Sequence, residues 1–338
     1  MPAPLRILLS DAARACLGPR IAHALGPRPF ELLSINALAT SPTADAITDA
    51  DIAFISRDVT GRSTKHELAP ALQACYDTLR QAPSLRWVHI HSAGADRPVY
   101  GELHARGVAV TTSSGTNAQV VAQTAIAGLL ALARRFPQLM AAQRSHTWAP
   151  LIDSHGVALT HDLDGQTAVV VGWGPIGQHI GRLLTALGLR TVVVRRSALA
   201  VEGVDQVVGF EAMDEVLPKA DWLIVACPLT DTTRGLIDRQ ALARLPPGAQ
   251  LINVSRGEVV NEPDLIAALQ CGQLAGAFLD VFAHEPLAAE SPLWDMPHVI
   301  VTPHTAGHSD GHFERVAQAF VDNLPRWLAG QQLANRIR

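Results

Sequence analysis

The sequence has little lysine, no paired cysteines and no long apolar run. Lys65 and Lys219 are the only lysines, so arginine carries nearly all the positive charge. Cys16, Cys75, Cys227 and Cys271 are widely spaced. They form no CxxC pair and no His/Cys cluster with zinc spacing, which argues against a disulfide scaffold and a zinc centre. Buried thiols in a reducing cytoplasm are expected instead. The N-terminal apolar stretch is too short for a signal h-region. The longest apolar run, Thr124 to Ala133, stops at Arg134-Arg135 and is too short to span a bilayer. A net charge of −4 gives no basic excess for a nucleic acid or an anionic membrane.

What is present points to a large folded core. The 338 residues are 48% hydrophobic and 17% charged. That length suits two domains at about 150 residues each.

The richest stretch is Ala168 to Ser197, AVVVGWGPIGQHIGRLLTALGLRTVVVRRS. A β-branched run leads into Gly172-Trp173-Gly174-Pro175-Ile176-Gly177, then a helical period, Gly188 and a second β run. Gly172 allows a tight turn, Gly174 lets a pyrophosphate approach the backbone, and Gly177 lets helix pack on strand. The helix N-terminus offers free N–H groups and a positive dipole end. A site for NAD usually has an acid about 20 residues on, to hold the ribose 2′-hydroxyl. Here Val194-Arg195-Arg196-Ser197 stands there, with no acid near. Guanidinium groups suit a 2′-phosphate, so NADP(H) is favoured and NAD(H) stays possible. The other reading of the pair is two arginines at a strand edge.

Alternating strands and helices before this stretch predict a first parallel α/β domain. Strands are expected at Arg6 to Ser10, Glu31 to Ile35, Ile52 to Ser56, Leu85 to His91 and Val108 to Thr111. Helices are expected at Asp11 to Leu25 and His66 to Gln81. A Ser/Thr/Pro/Asp-rich loop separates the second and third strands. Thr116 or Asn117 begins a long helix to about Arg135, apolar nearly all round and therefore buried on all sides. Arg144 to Asp164 reads as a loop. After Ser197 come further βα units: helices Glu211 to Leu217, Asp238 to Leu245 and Glu262 to Gln270, and strands Trp222 to Ala226, Gln250 to Val254, Ala275 to Leu279 and Val299 to Thr302. A last helix is expected from His312 to Leu324, just before Pro325.

Chemistry-bearing residues gather past the strand ends. The turn Ser92-Ala93-Gly94-Ala95-Asp96 leaves a strand where open α/β sheets bind ligands. Its small residues expose successive N–H groups that can hold a carboxylate, although an ordinary turn reads the same way. Arg256, Glu285 and His304 have complementary roles. Histidine can exchange a proton near working pH, a neighbouring carboxylate stabilises imidazolium, and a guanidinium binds a carboxylate and polarises a carbonyl. Read singly, each is equally a surface cation, a solvated acid or a capped core histidine.

Several long segments resemble the D-isomer-specific 2-hydroxyacid dehydrogenase family. They are Leu251 to Glu262 (LINVSRGEVVNE), Ala277 to Leu287 (AFLDVFAHEPL), Ser291 to Trp294 (SPLW) and Val301 to Gly307 (VTPHTAG), with Ser92 to Asp96 and Pro228 to Thr230. The resemblance implies two Rossmann-like or flavodoxin-like parallel-sheet domains with a cleft between them. Residues 1–116 with 308–338 would form the substrate domain and 117–307 the dinucleotide-binding domain.

It further implies reduction of small 2-keto acids, such as glyoxylate or hydroxypyruvate, to D-2-hydroxy acids. Arg256 would bind the carboxylate and keto oxygen, His304 would donate the proton, and Glu285 would tune it. Ser92, Ala93, Gly94 and Ala95 would hold the carboxylate together with Arg256 and His304. The cofactor would lie along Gly172 to Gly177, Arg195 to Ser197, Cys227, Pro228, Thr233, Val254, Ser255, Arg256, Asp280, His304 and Gly307. Asp280 would sit near the nicotinamide amide. The family implies a homodimer. The arginine pair resembles the NADP-using glyoxylate/hydroxypyruvate reductases, and the end at Arg338 differs from long phosphoglycerate dehydrogenases that carry a regulatory domain. Gln123 stands where the family often has Glu. Another substrate class with NAD, or a dinucleotide sensor without turnover, are the alternatives. His304, His308 and His312 are spaced by four, but Pro303, Gly307 and Gly311 argue against one helix and a metal site. The substrate side chain is expected to meet loops around Arg57 and His91, and Trp148.

Overall fold

The computed structural model describes residues 3–36, 49–64, 67–150, 160 and 162–337. The expected Ser/Thr/Pro/Asp-rich loop, the start of a helix at His66 and most of the loop before Thr167 fall largely outside those residues.

The chain divides into two compact units, residues 1–117 with 309–338, and residues 118–308. In the first, short apolar runs become strands: β1 (Leu5–Leu9), β2 (Phe30–Ser34), β3 (Ile52–Ile55), β4 (Trp87–Ile90) and β5 (Ala109–Thr111). All pair in parallel, in the order β2-β1-β3-β4-β5. Helices α1 (Asp11–Leu25), α2 (Arg57–Thr60), α3 (Pro70–Gln81) and α4 (Pro98–Ala105) connect them. Ser10 caps α1 by accepting from the Ala13 N–H at 3.1 Å, which fixes where strand gives way to helix. The sequence did not predict α4; its eight residues, opened by Pro98 at the first position, are short for a periodic signal.

The second unit starts with α5 (Ala118–Ala133) and α6 (Phe136–Arg144). Then follow β6 (Thr167–Val171), α7 (Pro175–Ala186), β7 (Arg190–Val194), β8 (Gln206–Val208), α8 (Met213–Val216), β9 (Trp222–Val225), α9 (Arg239–Arg244), β10 (Ala249–Asn253), α10 (Glu262–Gln270), β11 (Leu274–Leu279) and β12 (Val299–Val301). The seven parallel strands run β12-β11-β10-β9-β6-β7-β8. Strand order reverses between β6 and β9, the switch point where such sheets take ligands beyond the strands' carboxyl ends. Val169 and Leu223 pair across that point, both fully buried. The apolar helix α5 packs on α7 and on β11, but it is not buried on all sides as expected: Gln119, Gln123 and Ala127, four residues apart, form an exposed stripe. Gly128 makes the approach possible, since a Cβ there would lie 2.4 Å from the Phe278 ring.

The chain then returns to the first unit through α11 (His312–Leu328). There Val316, Phe320 and Leu324 join Leu5, Ile7, Phe54 and Trp87 in one core, with Phe320 stacked on Phe54 at 4.8 Å. This helix was expected to stop at Leu324 but continues through Pro325. Proline there removes one backbone hydrogen bond. Packing of Leu324 and Trp327 against the core offsets that loss. The helix expected at Glu211 to Leu217 is broken into 3-10 turns at Phe210–Ala212 and Leu217–Lys219 around α8, in keeping with Pro218, which has no N–H to give. Among the described residues, no helix is long and apolar enough to cross a membrane.

Candidate active site

The second unit's site residues sit on loops after the carboxyl ends of its parallel strands. Gly172 to Gly177 follow β6, and Arg195 to Ser197 follow β7. Cys227, Pro228 and Thr233 follow β9, while Val254, Ser255 and Arg256 follow β10. Asp280 and Glu285 come after β11, and His304 and Gly307 after β12. The sheet topology thus brings six segments, distant in sequence, to one edge. Ser92 to Ala95 follow β4 in the first unit.

The glycine turn behaves as its sequence demands. Gly172 has φ 103°, and a Cβ on it would lie 2.6 Å from the Cys227 backbone. A Cβ at Gly177 would lie 2.1 Å from the Gly172 carbonyl oxygen. Gly174, by contrast, would meet nothing within 4 Å and is exposed. The turn is therefore closed on the protein side and open on the outer side, at the start of α7, whose first turn carries no acid. That is the shape a dinucleotide pyrophosphate needs. At the end of β7, Arg196 is exposed and Arg195 half-buried. Neither guanidinium is engaged in an ion pair or hydrogen bond among the described residues. Burial pushes the Cys227 thiol up to about 12, so it borders the turn as a neutral group.

His304 and Glu285 meet directly. Nδ1 of His304 lies 2.8 Å from Oε2 of Glu285. The Glu285 side chain is 15% exposed and that of His304 46%. The Phe282 N–H donates to Oε1 of Glu285 at 3.1 Å. Burial pushes the Glu285 carboxyl up, but it is outweighed by the hydrogen bond and charge of His304, the Phe282 N–H and the Arg256 charge. The carboxyl is held below its ordinary value. With Nδ1 engaged, Nε2 of His304 is the nitrogen left to face a substrate. His304 has φ 52°, a left-handed conformation uncommon for a side-chain-bearing residue and often associated with function.

Asp280 holds the histidine turn. It is 2% exposed. Its Oδ1 accepts from the Thr302 hydroxyl at 2.6 Å and the Thr305 N–H at 2.9 Å, and its Oδ2 accepts from the Ala306 N–H at 3.0 Å. Its carbonyl accepts from the His304 N–H at 2.8 Å. The expectation for Asp280 was a cofactor contact alone, and this clamp was missed. Asn253 and Gly257 were missed as well. Asn253 Oδ1 accepts from the Ser255 N–H at 3.1 Å while its Nδ2 donates to the Arg256 carbonyl at 3.2 Å, bracing the loop that carries Arg256. A Cβ on Gly257 would lie 1.9 Å from the Phe282 carbonyl carbon, so only glycine lets this loop touch the one carrying Glu285. An Asx turn at a strand end was the signal available for Asn253; nothing local distinguishes Gly257.

In the first unit, the loop after β4 has four successive N–H groups, at Ser92, Ala93, Gly94 and Ala95, that donate no hydrogen bond among the described residues. Such a run of free N–H groups suits an anion. Among the described residues, no group of three or more His, Cys, Asp or Glu is placed to hold a metal ion.

The order of strands, the glycine turn and the His–Glu pair define a dinucleotide-binding oxidoreductase framework. The family model for "D-isomer specific 2-hydroxyacid dehydrogenase, NAD binding domain" matches residues 126–306, and the chain belongs to that family. Glyoxylate/hydroxypyruvate reductase B of Yersinia pestis bv. Antiqua is 34% identical over 265 residues, 77% of this chain and 80% of the relative. The chain spans about half the length, 48%, of the D-3-phosphoglycerate dehydrogenase of Mycobacterium tuberculosis, at 33% identity. A family protein from Aeromonas salmonicida subsp. salmonicida superposes with a TM-score of 0.80 at 30% identity, covering 99% of both chains. A family enzyme of Xanthobacter autotrophicus, solved with NADPH and MES, superposes with a TM-score of 0.76 at 28% identity, covering 99% of this chain and 98% of that one.

Proposed function

We propose that this protein reduces small 2-keto acids of the glyoxylate and hydroxypyruvate kind, with NADPH preferred, giving a D-2-hydroxy acid where a stereocentre forms. The observation that carries the reading is the His304–Glu285 pair beside Arg256, with Nε2 of His304 left available. Bound nicotinamide would supply the hydride to the carbonyl carbon. The protein's part is to bind, orient and move a proton. Arg256 binds the carboxylate and draws charge toward the keto oxygen. Nε2 of His304 gives its proton to that oxygen, and the Glu285 carboxylate stabilises the imidazolium beforehand. The first unit serves as the substrate domain, its Ser92 to Ala95 N–H groups holding the carboxylate, and the second as the cofactor domain. Val254, Ser255, Thr233 and Gly307 border the cofactor. Four unpaired thiols fit a cytoplasmic setting, although only Cys75 and Cys227 are buried as expected and Cys16 and Cys271 are exposed.

The preference for NADPH rests on Arg195 and Arg196, whose guanidinium groups are uncommitted, and on the absence of an acid where NAD enzymes place one. The homodimer is assigned to the second unit, where α6 buries none of its residues. Absorbance of the reduced nicotinamide, followed across a panel of 2-keto acids with both cofactors, tests the reading. Expected are turnover of glyoxylate or hydroxypyruvate and a lower KM for NADPH. Replacing both arginines with alanine should raise the NADPH KM about 10- to 100-fold, the worth of one charge-assisted contact, and leave the NADH KM unchanged. No turnover of any 2-keto acid would favour the sensor reading, and equal KM values for both cofactors in the wild type would overturn the NADPH preference.

A further inference from the structure

The chain has only two tyrosines, Tyr76 and Tyr100, and both lie in one buried cluster of the first unit. Tyr76, on α3, is 2% exposed and Tyr100, on α4, is 3% exposed. Their hydroxyl oxygens are 2.8 Å apart, with the rings edge to face at 5.7 Å. Buried phenols need hydrogen-bond partners. Here Arg97 supplies the second one: its Nη1 donates to the Tyr76 hydroxyl at 2.7 Å. Its Nη2 donates to the carbonyls of Ser63 and Thr64, at 3.2 and 3.1 Å. One half-buried guanidinium thus joins α3, the segment before α3 and the N-terminus of α4, where Arg97 is the cap residue.

Arg97 also follows directly on Ser92 to Asp96. In that loop Ala93, Gly94 and Ala95 carry no polar side chain, and Ser92 Oγ donates to the Gly94 carbonyl at 2.8 Å. Its first end is fixed to the sheet: the His91 N–H donates to the Ile55 carbonyl at 3.0 Å, and the Ser113 N–H to the Ser92 carbonyl at 2.9 Å. Its second end is fixed through Arg97. Four free N–H groups bind an anion well only if they already converge, because ordering them on binding weakens the complex.

We propose that Arg97, seated on Tyr76, is a positioning residue that sets the loop Ser92 to Ala95 for a substrate carboxylate. This rests on the reading of that loop given above. A residue that merely stabilised α4 would lower the melting temperature without singling out one ligand. A positioning residue changes affinity for the carboxylate and spares the cofactor.

The test uses the full-length protein and two variants, Arg97→Lys and Tyr76→Phe. Lysine keeps the charge but loses the planar fork that spans a phenol and two carbonyls. Phenylalanine keeps the ring and removes the oxygen. KM for glyoxylate is expected to rise about 10- to 100-fold in Arg97→Lys, and less in Tyr76→Phe, with kcat changed by less than about 3-fold. KM for NADPH stays at its wild-type value. Oxalate binding, measured by calorimetry in the presence of NADPH, should weaken in the same order. An unchanged glyoxylate KM and oxalate Kd in folded variants would overturn the proposal, as would a parallel rise in both KM values. If the wild type turns over no 2-keto acid, the functional reading fails. The oxalate series then still decides the role of Arg97.

Discussion

At the scale of single residues, the proposed chemistry rests on one hydrogen bond between groups 19 positions apart in the chain, His304 to Glu285. Replacing His304 with alanine should lower turnover about 10²- to 10⁴-fold, the usual worth of a general acid, with NADPH binding retained. Full turnover in that variant would discard the mechanism. Glu285 gives a pH prediction in two parts. Its carboxyl is held below its ordinary value in the folded protein. Such a group contributes stability that is complete above its unfolded value and is lost as pH falls through its folded value. Wild-type protein should therefore lose stability on acidification below the ordinary carboxylate range, and Glu285→Gln should lack this contribution. Denaturant midpoints between about pH 3 and 7 check it. The proposed reduction would draw on imidazolium, so losing the carboxylate should move the alkaline limit of kcat/KM to lower pH. An unshifted limit would contradict the pairing. The family resemblance implied that Glu285 tunes His304; no local pattern alone could have shown the bond between them. Asp280 is the harder case. Its three acceptor bonds to the turn around His304 exist only after β11 and β12 pair.

At the scale of elements, legibility followed burial and capping. The boundaries of α10, Glu262–Gln270, were readable because Asn261 caps it by accepting from the Asp264 N–H at 3.1 Å and the residues beyond lose the period. The strand–glycine–helix unit was readable for a similar reason: each residue there has a local steric task. Helix α6 was not, because its nine residues, with Pro137 in the first turn, are short for a periodic signal and none of them is fully buried. Strand β8 has three residues, too few to alternate visibly. Contact between the loops after β10 and β11 was equally hidden, and Gly257 tests it. In Gly257→Ala the new methyl overlaps the Phe282 backbone, so Arg256 and Glu285 must move apart. Turnover is expected to fall about 100-fold, the cost of roughly an ångström of misplacement, with unchanged circular dichroism. Activity above half the wild-type value would show that the loops accommodate a side chain.

At the scale of the whole molecule, α6 and the segment after it present an apolar surface. Phe136 is 51% exposed, Met140 48% and Trp148 95%. Phe136 and Met140 are four residues apart and share one helix face. With a second copy covering this face, light scattering should give a mass near twice 36.0 kDa for the wild type. Phe136→Asp with Met140→Asp should give a monomer. A monomeric wild type would remove the dimer assignment.

The return of α11 to the first unit also sets a timetable for synthesis. Residues 118–308 form one uninterrupted unit, which can fold as soon as it leaves the ribosome. The first unit has no such freedom, although its β1 is made first. Until Phe320 and Leu324 emerge, Leu5, Ile7, Phe54 and Trp87 lack the helix that completes their core. Arg20 waits as long for Glu314 and Gln318, each 2.6 Å away in the finished protein. The earlier strands of this unit are thus the last to have their core completed, and through that interval their exposed sheet is the surface a chaperone would meet.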